Sequence, residues 1–296
     1  MSAATGVKAA PARAGGPRPR SARAVLGGAG LYTATAVAAL LFLVPFYLIV
    51  RNALATDAEI TGETWTFFPT DPQWSHIGEL FSDPSVPFAR ALWNSLVVGV
   101  GHTVGTLLLC STAGYGLARI PYRYSRAVFH LVLGTLMVPA AVTFVPSFVL
   151  VSSLGWVSSL RGLIIPGLFS GFTVFLFRQY FLGFPRELEE AARVDGLSHW
   201  SAYWRVVVPN SLNFFAAIAV ITFINGWNAF LWPLVIGQDM EYWTVQVALS
   251  SYLTAQTVNL HLIFMATAVS VLPLVVVFVV LQRWLVQGVA RTGIKG

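Results

Sequence analysis

Residues 29–50 read AGLYTATAVAALLFLVPFYLIV and contain no charged side chain. A membrane-spanning helix needs ~20 predominantly apolar residues, so this stretch is long enough for one crossing. Its large apolar residues follow one another without the alternation that the strands of a membrane barrel show. Only helices and closed barrels satisfy their backbone hydrogen bonds in lipid. The stretch therefore predicts a transmembrane helix.

Comparable uncharged stretches recur along the chain of 296 residues. Apolar residues make up 56% of it and charged residues only 10%, whereas a soluble domain carries about 25% charged residues. The pattern predicts an all-α integral membrane protein whose membrane domain covers residues 28–296. Residues 1–27, rich in Ala, Gly, Pro and Arg, are predicted to form a disordered tail. Six crossings are expected, near residues 29–50, 92–117, 127–150, 161–181, 211–235 and 262–284.

The distribution of charge predicts the orientation. An even number of crossings puts both termini on one side, and 15 of the 18 basic residues then fall on that side. Eight of the 12 acidic residues fall on the other side. Basic loops stay on the cytoplasmic side of a membrane, so we expect a multi-pass protein of the bacterial cytoplasmic membrane with both termini in the cytoplasm. This bias accounts for the net charge of +6 without a nucleic acid partner.

Motifs for catalysis are missing from the sequence. The two lysines, Lys8 and Lys295, lie in no phosphate-binding GxxxxGK[ST] pattern, and neither HExxH nor GxSxG occurs. The acidic residues all lie outside the predicted crossings, and His102, inside the second crossing, is interpreted as a packing residue. We therefore expect no catalytic residue, no metal and no cofactor bound by this chain.

Two pairs of glycines at GxxxG spacing, Gly101 with Gly105 and Gly167 with Gly171, predict close contact between helices. Prolines inside the apolar stretches are interpreted in the same way, as residues of bundle packing. Neighbouring helices can compensate for the hydrogen bonds that prolines remove.

The segment between the fourth and fifth crossings, residues 186–209, has a pattern of its own. Small residues and acidic residues at its start favour a helix, with the acidic side chains near the positive N-terminal end. A glycine can end this helix in a left-handed cap before a second amphipathic stretch. The pattern predicts a helix-turn-helix at the inner membrane surface whose alanine face can enter a groove on another protein. The residues that define it are Glu190-Ala191-Ala192 and Asp195-Gly196.

These residues resemble the EAA loop of ATP-binding-cassette (ABC) importer permeases of the maltose-type carbohydrate family. The similarity covers most of residues 30–296 and is greatest to the smaller permease of the pair, because the long outer loop of the larger permease is absent. The resemblance implies a six-helix type I importer fold with both termini inside. It is supported by Asn94-Ser95-Leu96, by residues 227–234 (WNAFLWPL) and by residues 287–296.

The resemblance also implies that this chain works with other proteins. A binding protein outside the membrane would deliver a sugar, a second, larger permease would complete the pathway, and two ATPase subunits inside would bind ATP and magnesium. Glu190, Ala191 and Ala192 would contact an ATPase groove, while Asp195 and Gly196 fix the turn. The loop at 237–260 would face the binding protein. The tail would reach between the ATPase subunits through Gln287, Gly288, Gly293 and Lys295.

Four residues of the fifth crossing are candidates for lining the solute pathway, because amides and aromatic faces suit sugars. They are Asn225, Trp227, Asn228 and Trp232. The alternative is that Trp232 belongs to an interfacial belt and the asparagines tie helices together. The solute itself stays open between a sugar and another small solute, such as a polyol, glycerol phosphate or amino acid. A secondary carrier acting alone is the alternative from another class, and the lack of acidic residues at membrane depth counts against it.

Overall fold

The computed structural model describes the backbone of residues 22–253 and 259–292 and the side chains of residues 30–253 and 259–284. Helices are the regular elements of this part of the chain, joined by 3-10 turns at Ile165–Gly167 and Met240–Tyr242 and a π-helical turn at Tyr203–Val207. The α-helices are α1 (Ala22–Leu54), α2 (Asp57–Thr61), α3 (Ser75–Ser82), α4 (Phe88–Arg119), α5 (Ser125–Met137), α6 (Ala140–Ser153), α7 (Leu160–Ile164), α8 (Gly171–Leu182), α9 (Arg186–Val194), α10 (His199–Ala202), α11 (Val208–Asn210), α12 (Leu212–Trp227), α13 (Leu231–Ile236), α14 (Val245–Ser251) and α15 (Leu260–Thr292).

The start of α1 overlaps the tail predicted at residues 1–27. Residues 1–21 lie outside the described part of the chain, whereas residues 22–27 belong to α1. Ala, Arg and Leu in this short stretch are strong helix formers, so the helix starts before the apolar run.

Three helical segments of the described chain are long and apolar enough to cross a membrane singly. They are Gly30–Leu54, Phe88–Arg119 and Leu260–Trp284. Three pairs of helices meet the same test together but are bent at a break. The bends are 99° between α5 and α6, 48° between segment 160–167 and α8, and 80° between segment 199–210 and α12. If each bent pair is one crossing, the number rises to as many as six.

Proline has different effects in different helices. Pro139 lies in the break between α5 and α6 and directly precedes α6, with a φ of −60°. Pro45, Pro146 and Pro273 instead lie inside α1, α6 and α15. Because packed neighbours can satisfy the backbone groups that proline leaves free, the residue type alone does not decide between a continuous helix and a break.

The chain divides into two units, residues 1–48 and 49–296. In the described part of the first unit, α1 presents exposed leucine, valine and phenylalanine side chains. Such a surface is the kind that lipid or another membrane helix covers. The second unit contains the last residues of α1 and all the helices that follow.

Helix α4 is the centre of the second unit. It packs against α8 and α12, and α12 packs in turn against α15. The GxxxG glycines allow a close approach, as predicted. A Cβ added at Gly101 would lie 3.1 Å from Ile164, and one added at Gly171 would lie 2.6 Å from Thr135 Oγ1.

Three clusters of buried side chains fill the second unit. The first, around Phe88 and Trp227, joins the start of α4 to α3, α12, α14 and the start of α15. The second, around Phe177 and Tyr203, joins the C-terminal part of α4 to α8. These two clusters lie ~30 Å apart along α4 at 1.5 Å per residue. A third, smaller cluster joins α4 to α6, α7 and α13 through Val98, Val151, Leu163 and Ile236.

Candidate functional site

Helix α9 and the turn after it form the first candidate site. The helix ends at Val194, and Gly196 follows with a φ of +82°. The amide of Gly196 donates to Arg193 O and the amide of Leu197 to Ala192 O, both over 3.0 Å. This pair of bonds is the Schellman motif, which satisfies carbonyls at a helix end and needs a left-handed residue. The left-handed cap predicted at Gly196 is confirmed.

Helix α9 has two faces of different character. Glu189 and Ala192 are buried within the chain, and Ala192 is only 5% exposed. On the opposite side Leu188, Glu190, Ala191 and Val194 are exposed, Val194 to 87%. The sequence placed Ala191 and Ala192 together on one docking face, but the helical spacing turns Ala192 inward. A residue buried inside its own chain stays buried when a partner binds, so Ala192 supports the helix from within.

A buried ion pair attaches α9 to the end of α4. Glu189 Oε1 lies 3.3 Å from Arg119 Nε, an ion-pair contact without the alignment of a hydrogen bond. Tyr115 Oη donates to Glu189 Oε2 over 3.2 Å. Arg119 also donates through Nη2 to the carbonyl of Phe184, just before α9. These contacts attach α9 and the residue Phe184 before it to the C-terminal turn of α4.

The segment after the turn is attached to α4 as well. Tyr203, buried in the π-helical turn, shares a 2.6 Å hydrogen bond with Ser111 of α4. Its ring lies 5.0 Å from the ring of Tyr115. The segment leads directly into α12 through a bend of 80°. The segment that follows α9 therefore contacts α4 and continues into α12.

A polar cavity of about 660 Å³ lies beside α9. It is rich in guanidinium groups, together with the carboxylates of Glu189 and Glu190. Clustered arginines attract acidic groups and are recognition elements for carboxylates. The lining arginines are Arg119, Arg123, Arg126, Arg178, Arg186 and Arg193.

A second cavity, the central cavity, has a volume of about 320 Å³ and lies where the interrupted helices meet. Trp232 and Phe144 stand edge to face in its wall, with 5.7 Å between their ring centroids. Asn225 and the hydroxyl residues Thr143 and Ser147 also line it. An apolar wall with a few polar groups is typical of small-molecule sites, and broken membrane helices commonly surround such sites.

The structure separates the four pathway candidates. Asn225 and Trp232 line the central cavity, and the Trp232 indole nitrogen donates to Gly162 O over 3.1 Å. Trp227 is only 1% exposed, and its indole nitrogen donates to Ser270 O, so it is a core residue that ties α12 to α15. Asn228 lies outside the cavity lining, with its side-chain oxygen 3.3 Å from Gln246 Nε2.

Sequence reasoning missed Thr143, Phe144 and Ser147. They line the cavity because the bend at Pro139 redirects α6, and nothing in the apolar pattern signals that bend. His102 also lines the cavity, and its Nε2 lies 2.8 Å from Gly167 O. This contact agrees with its interpretation as a packing residue.

Of the predicted tail residues, Gln287 and Gly288 belong to the backbone of α15, and their side chains lie outside the described set. Gly293 and Lys295 lie outside the described residues altogether.

Comparison with known proteins connects this geometry with a family. Residues 110–291, more than half of the chain, match the family described as the binding-protein-dependent transport system inner membrane component. The matched range includes α9, its glycine turn and all the residues of α12 and α13 that line the central cavity.

Characterised relatives are similar over most of their length. The arabinooligosaccharides transport system permease protein AraQ of Bacillus subtilis is 33% identical over 259 residues, 87% of this chain and 92% of that protein. The lactose transport system permease protein LacG of Rhizobium radiobacter is 33% identical over 257 residues, 87% of this chain and 93% of that protein. The sn-glycerol-3-phosphate transport system permease protein UgpE of Yersinia enterocolitica is 31% identical over 258 residues, 85% of this chain and 92% of that protein.

The fold also matches a solved structure. A chain of a bacterial ABC transporter involved in the import of the acidic polysaccharide alginate superposes with a TM-score of 0.76, at 23% identity over 92% of this chain and 100% of that chain. This chain therefore belongs to the family of binding-protein-dependent transport system inner membrane components, and it is a permease subunit of an ABC importer in the cytoplasmic membrane.

Proposed function

We propose that this permease imports a neutral carbohydrate, delivered by a binding protein outside the membrane and driven by ATP hydrolysis in two separate ATPase subunits. The names of two relatives support this class of solute, since AraQ and LacG belong to arabinooligosaccharide and lactose transport systems. ATP and magnesium would be bound by the ATPase subunits, and this chain would carry no cofactor of its own.

The lining of the central cavity supports a neutral solute. Its lining residues, all in the described part of the chain, include aromatic, amide and hydroxyl side chains but neither lysine nor arginine. Proteins that recognise phosphate usually supply one of these cations. Glycerol phosphate is the second candidate, because UgpE belongs to a glycerol-3-phosphate transport system. For that solute the cation would have to come from another subunit.

The coupling role is supported by helix α9, which has one buried face and one exposed face. Its inner face is attached to α4 through Glu189 and Arg119, whereas Glu190, Ala191 and Val194 are exposed. A short helix that is anchored on one face and exposed on the other suits a groove on a partner. In this proposal the ATPase binds the exposed face, Glu190 pairs with a basic group of the ATPase, and Asp195 and Gly196 fix the turn.

The proposed orientation puts α9 and both termini on the cytoplasmic side, with six crossings. The arginines beside α9 support it, because basic residues stay on that side. A second, larger permease and membrane lipid would cover the exposed apolar sides of the bundle. The tail residues Gln287, Gly288, Gly293 and Lys295 would reach the ATPase, and the loop that includes α14 would face the binding protein.

Uptake by reconstituted vesicles tests this function. The chain would be reconstituted with its second permease, its ATPase and its binding protein, and the uptake of labelled lactose, an arabino-oligosaccharide and glycerol phosphate would be measured. We expect uptake of a carbohydrate that requires ATP and stops when the ATPase is omitted. Preferential uptake of glycerol phosphate would favour the second candidate. Uptake without the ATPase would contradict coupling and support a carrier that acts alone.

A further inference from the structure

A separate group of polar side chains lies where α3 meets the start of α15. His76 and Glu79 of α3 and His261 of α15 offer metal-ligating atoms that all lie within 4.8 Å of one another. His76 is buried and Glu79 is exposed, so the group opens to solvent on one side. Glu79 and His261 are 182 positions apart. The fold rather than local spacing therefore builds this group, and the sequence predicted no metal site.

On both histidines, Nδ1 faces a hydrogen-bond acceptor. Nδ1 of His76 lies 3.0 Å from the carbonyl oxygen of Ala53, which can only accept, so Nδ1 donates and Nε2 of the neutral ring keeps its lone pair. Nδ1 of His261 lies 2.9 Å from Asp57 Oδ1, so Nδ1 faces an acceptor here too, and Nε2 faces Glu79. Metal-binding histidines commonly donate their second nitrogen to a carbonyl or carboxylate in this way.

The distance between two of the ligand atoms is that expected for two ligands of one metal ion. Nε2 of His261 lies 3.4 Å from Glu79 Oε1, whereas a charge-assisted N–H···O bond spans ~2.7–2.9 Å. Two ligands that are each ~2.0–2.1 Å from a tetrahedral zinc ion lie ~3.4 Å apart. The ring centroids of His76 and His261 lie 4.4 Å apart, with the ring planes tilted by 34°, so protonating both rings would bring two cations together. One divalent ion avoids this repulsion.

We propose that His76, Glu79 and His261 form a binding site for a divalent transition metal ion of the zinc class. Two imidazoles and one carboxylate are ligands that zinc accepts, and three protein ligands leave a fourth position open. Asp57 and the Ala53 carbonyl would orient the two rings. The ion would join the region between α1 and α4 to the last helix, and the site does not depend on which solute is carried.

Cobalt binding tests the site directly. The full-length chain would be purified with its transporter partners through a tag without histidine, stripped of metal with a chelator, and titrated with Co²⁺ and then Zn²⁺. We expect the complex to bind one more Co²⁺ per permease chain than a complex with Glu79→Gln. That ion should show the visible absorption of a four-coordinate site and be displaced by Zn²⁺.

Substitutions separate binding from folding. Glu79 is exposed, so Glu79→Gln leaves the fold intact and removes a ligand. Asp57→Asn keeps the ligands and should weaken Co²⁺ binding about 10- to 100-fold, the range for partners that orient a ligand. His130→Gln, at an exposed histidine of α5, should bind Co²⁺ as the wild type does. Equal Co²⁺ binding by the wild type and Glu79→Gln would overturn the proposal. The positive charge in this group would then be that of a protonated histidine and not that of a metal ion.

Discussion

Gly196 is the residue on which the shape of the proposed coupling segment depends. Its φ of +82° lies in a region that side chains disfavour, although a Cβ there would meet no atom within 4 Å. Backbone strain alone, rather than a clash, therefore limits substitution. Such strain costs about 1–3 kcal/mol for a residue other than glycine.

We predict that Gly196→Val separates ATP hydrolysis from uptake. The strain should reduce the population of the correct turn by about one to two powers of ten, while the crossings still insert. The measurement is the ratio of solute taken up to ATP hydrolysed in vesicles. Gly183→Val is the matched control, because Gly183 ends α8 with a φ of −86° and an added Cβ makes only an ordinary 3.6 Å contact. Equal ratios in the two variants would refute the role of the turn.

Glu189 gives a second prediction at this scale. Glu189→Gln leaves the Arg119 charge buried without its partner, and removing one member of a buried ion pair costs about 3–5 kcal/mol. We expect faster hydrogen exchange of the α9 amides and less uptake per ATP. Arg119→Leu added to Glu189→Gln should restore part of the protection, because the unpaired charge is then removed.

The control for this prediction is Glu187→Gln, which changes an exposed carboxylate in the same helix. It should leave exchange and coupling unchanged. If Glu189→Gln behaved like this control, the ion pair would not be what holds α9 to α4.

The sequence could predict Gly196 but not Glu189. A glycine after a run of helix formers signals a left-handed cap by local chemistry alone. The partner of Glu189 lies 70 positions earlier, at the end of another helix, and a local pattern contains no information about such a contact. For the same reason Ala191 and Ala192 looked equivalent in sequence, although only Ala191 is exposed.

At the scale of elements, the contact between α4 and α8 relies on the absence of a side chain. A Cβ at Gly114 would lie 2.6 Å from Phe177 Cβ and 2.9 Å from the backbone nitrogen of Arg178. Neither atom is the end of a flexible side chain, so the two helices would have to separate.

We therefore predict that Gly114→Ala destabilises the protein by about 1–3 kcal/mol, the usual cost of overpacking. Gly116→Ala, two residues away on α4, has open space around the new Cβ and gains about 1 kcal/mol in helix propensity. Thermal unfolding of the two variants in lipid nanodiscs measures the difference. A Gly114→Ala protein as stable as Gly116→Ala would show that the helices are not in close contact.

Helix identity was predictable from the sequence, whereas helix continuity was not. Long uncharged runs require helices in lipid, and helices occupy these regions. The same runs say nothing about the 99° bend after α5 or the break between α12 and α13. Pro139 lies at a break while Pro146 lies inside α6. Packing around each proline, which involves distant residues, makes the difference and gives the central cavity its lining.

At the scale of the whole molecule, the two ends of the bundle differ in the sign of their charged side chains. Arginines surround the cavity beside α9, near the C-terminal end of α4. Asp57, Glu79 and Asp83 instead lie in the chain between α1 and α4, near the N-terminal end of α4. Basic residues remain in the cytoplasm, so this distribution predicts the side on which the ATPase binds. The side chain of Val194, 87% exposed, is an accessible reporter of that surface.

Cysteine labelling at Val194 tests most directly whether α9 is the cytoplasmic surface that the ATPase binds. Val194→Cys and Ser85→Cys, each at an exposed position, would be treated with a membrane-impermeant maleimide, and the native Cys110 is fully buried. We expect Ser85→Cys to react in intact cells and Val194→Cys to react only in opened membranes, with protection when the ATPase is bound. Reaction of Val194→Cys in intact cells, or equal reaction with and without the ATPase, would contradict the coupling role of α9.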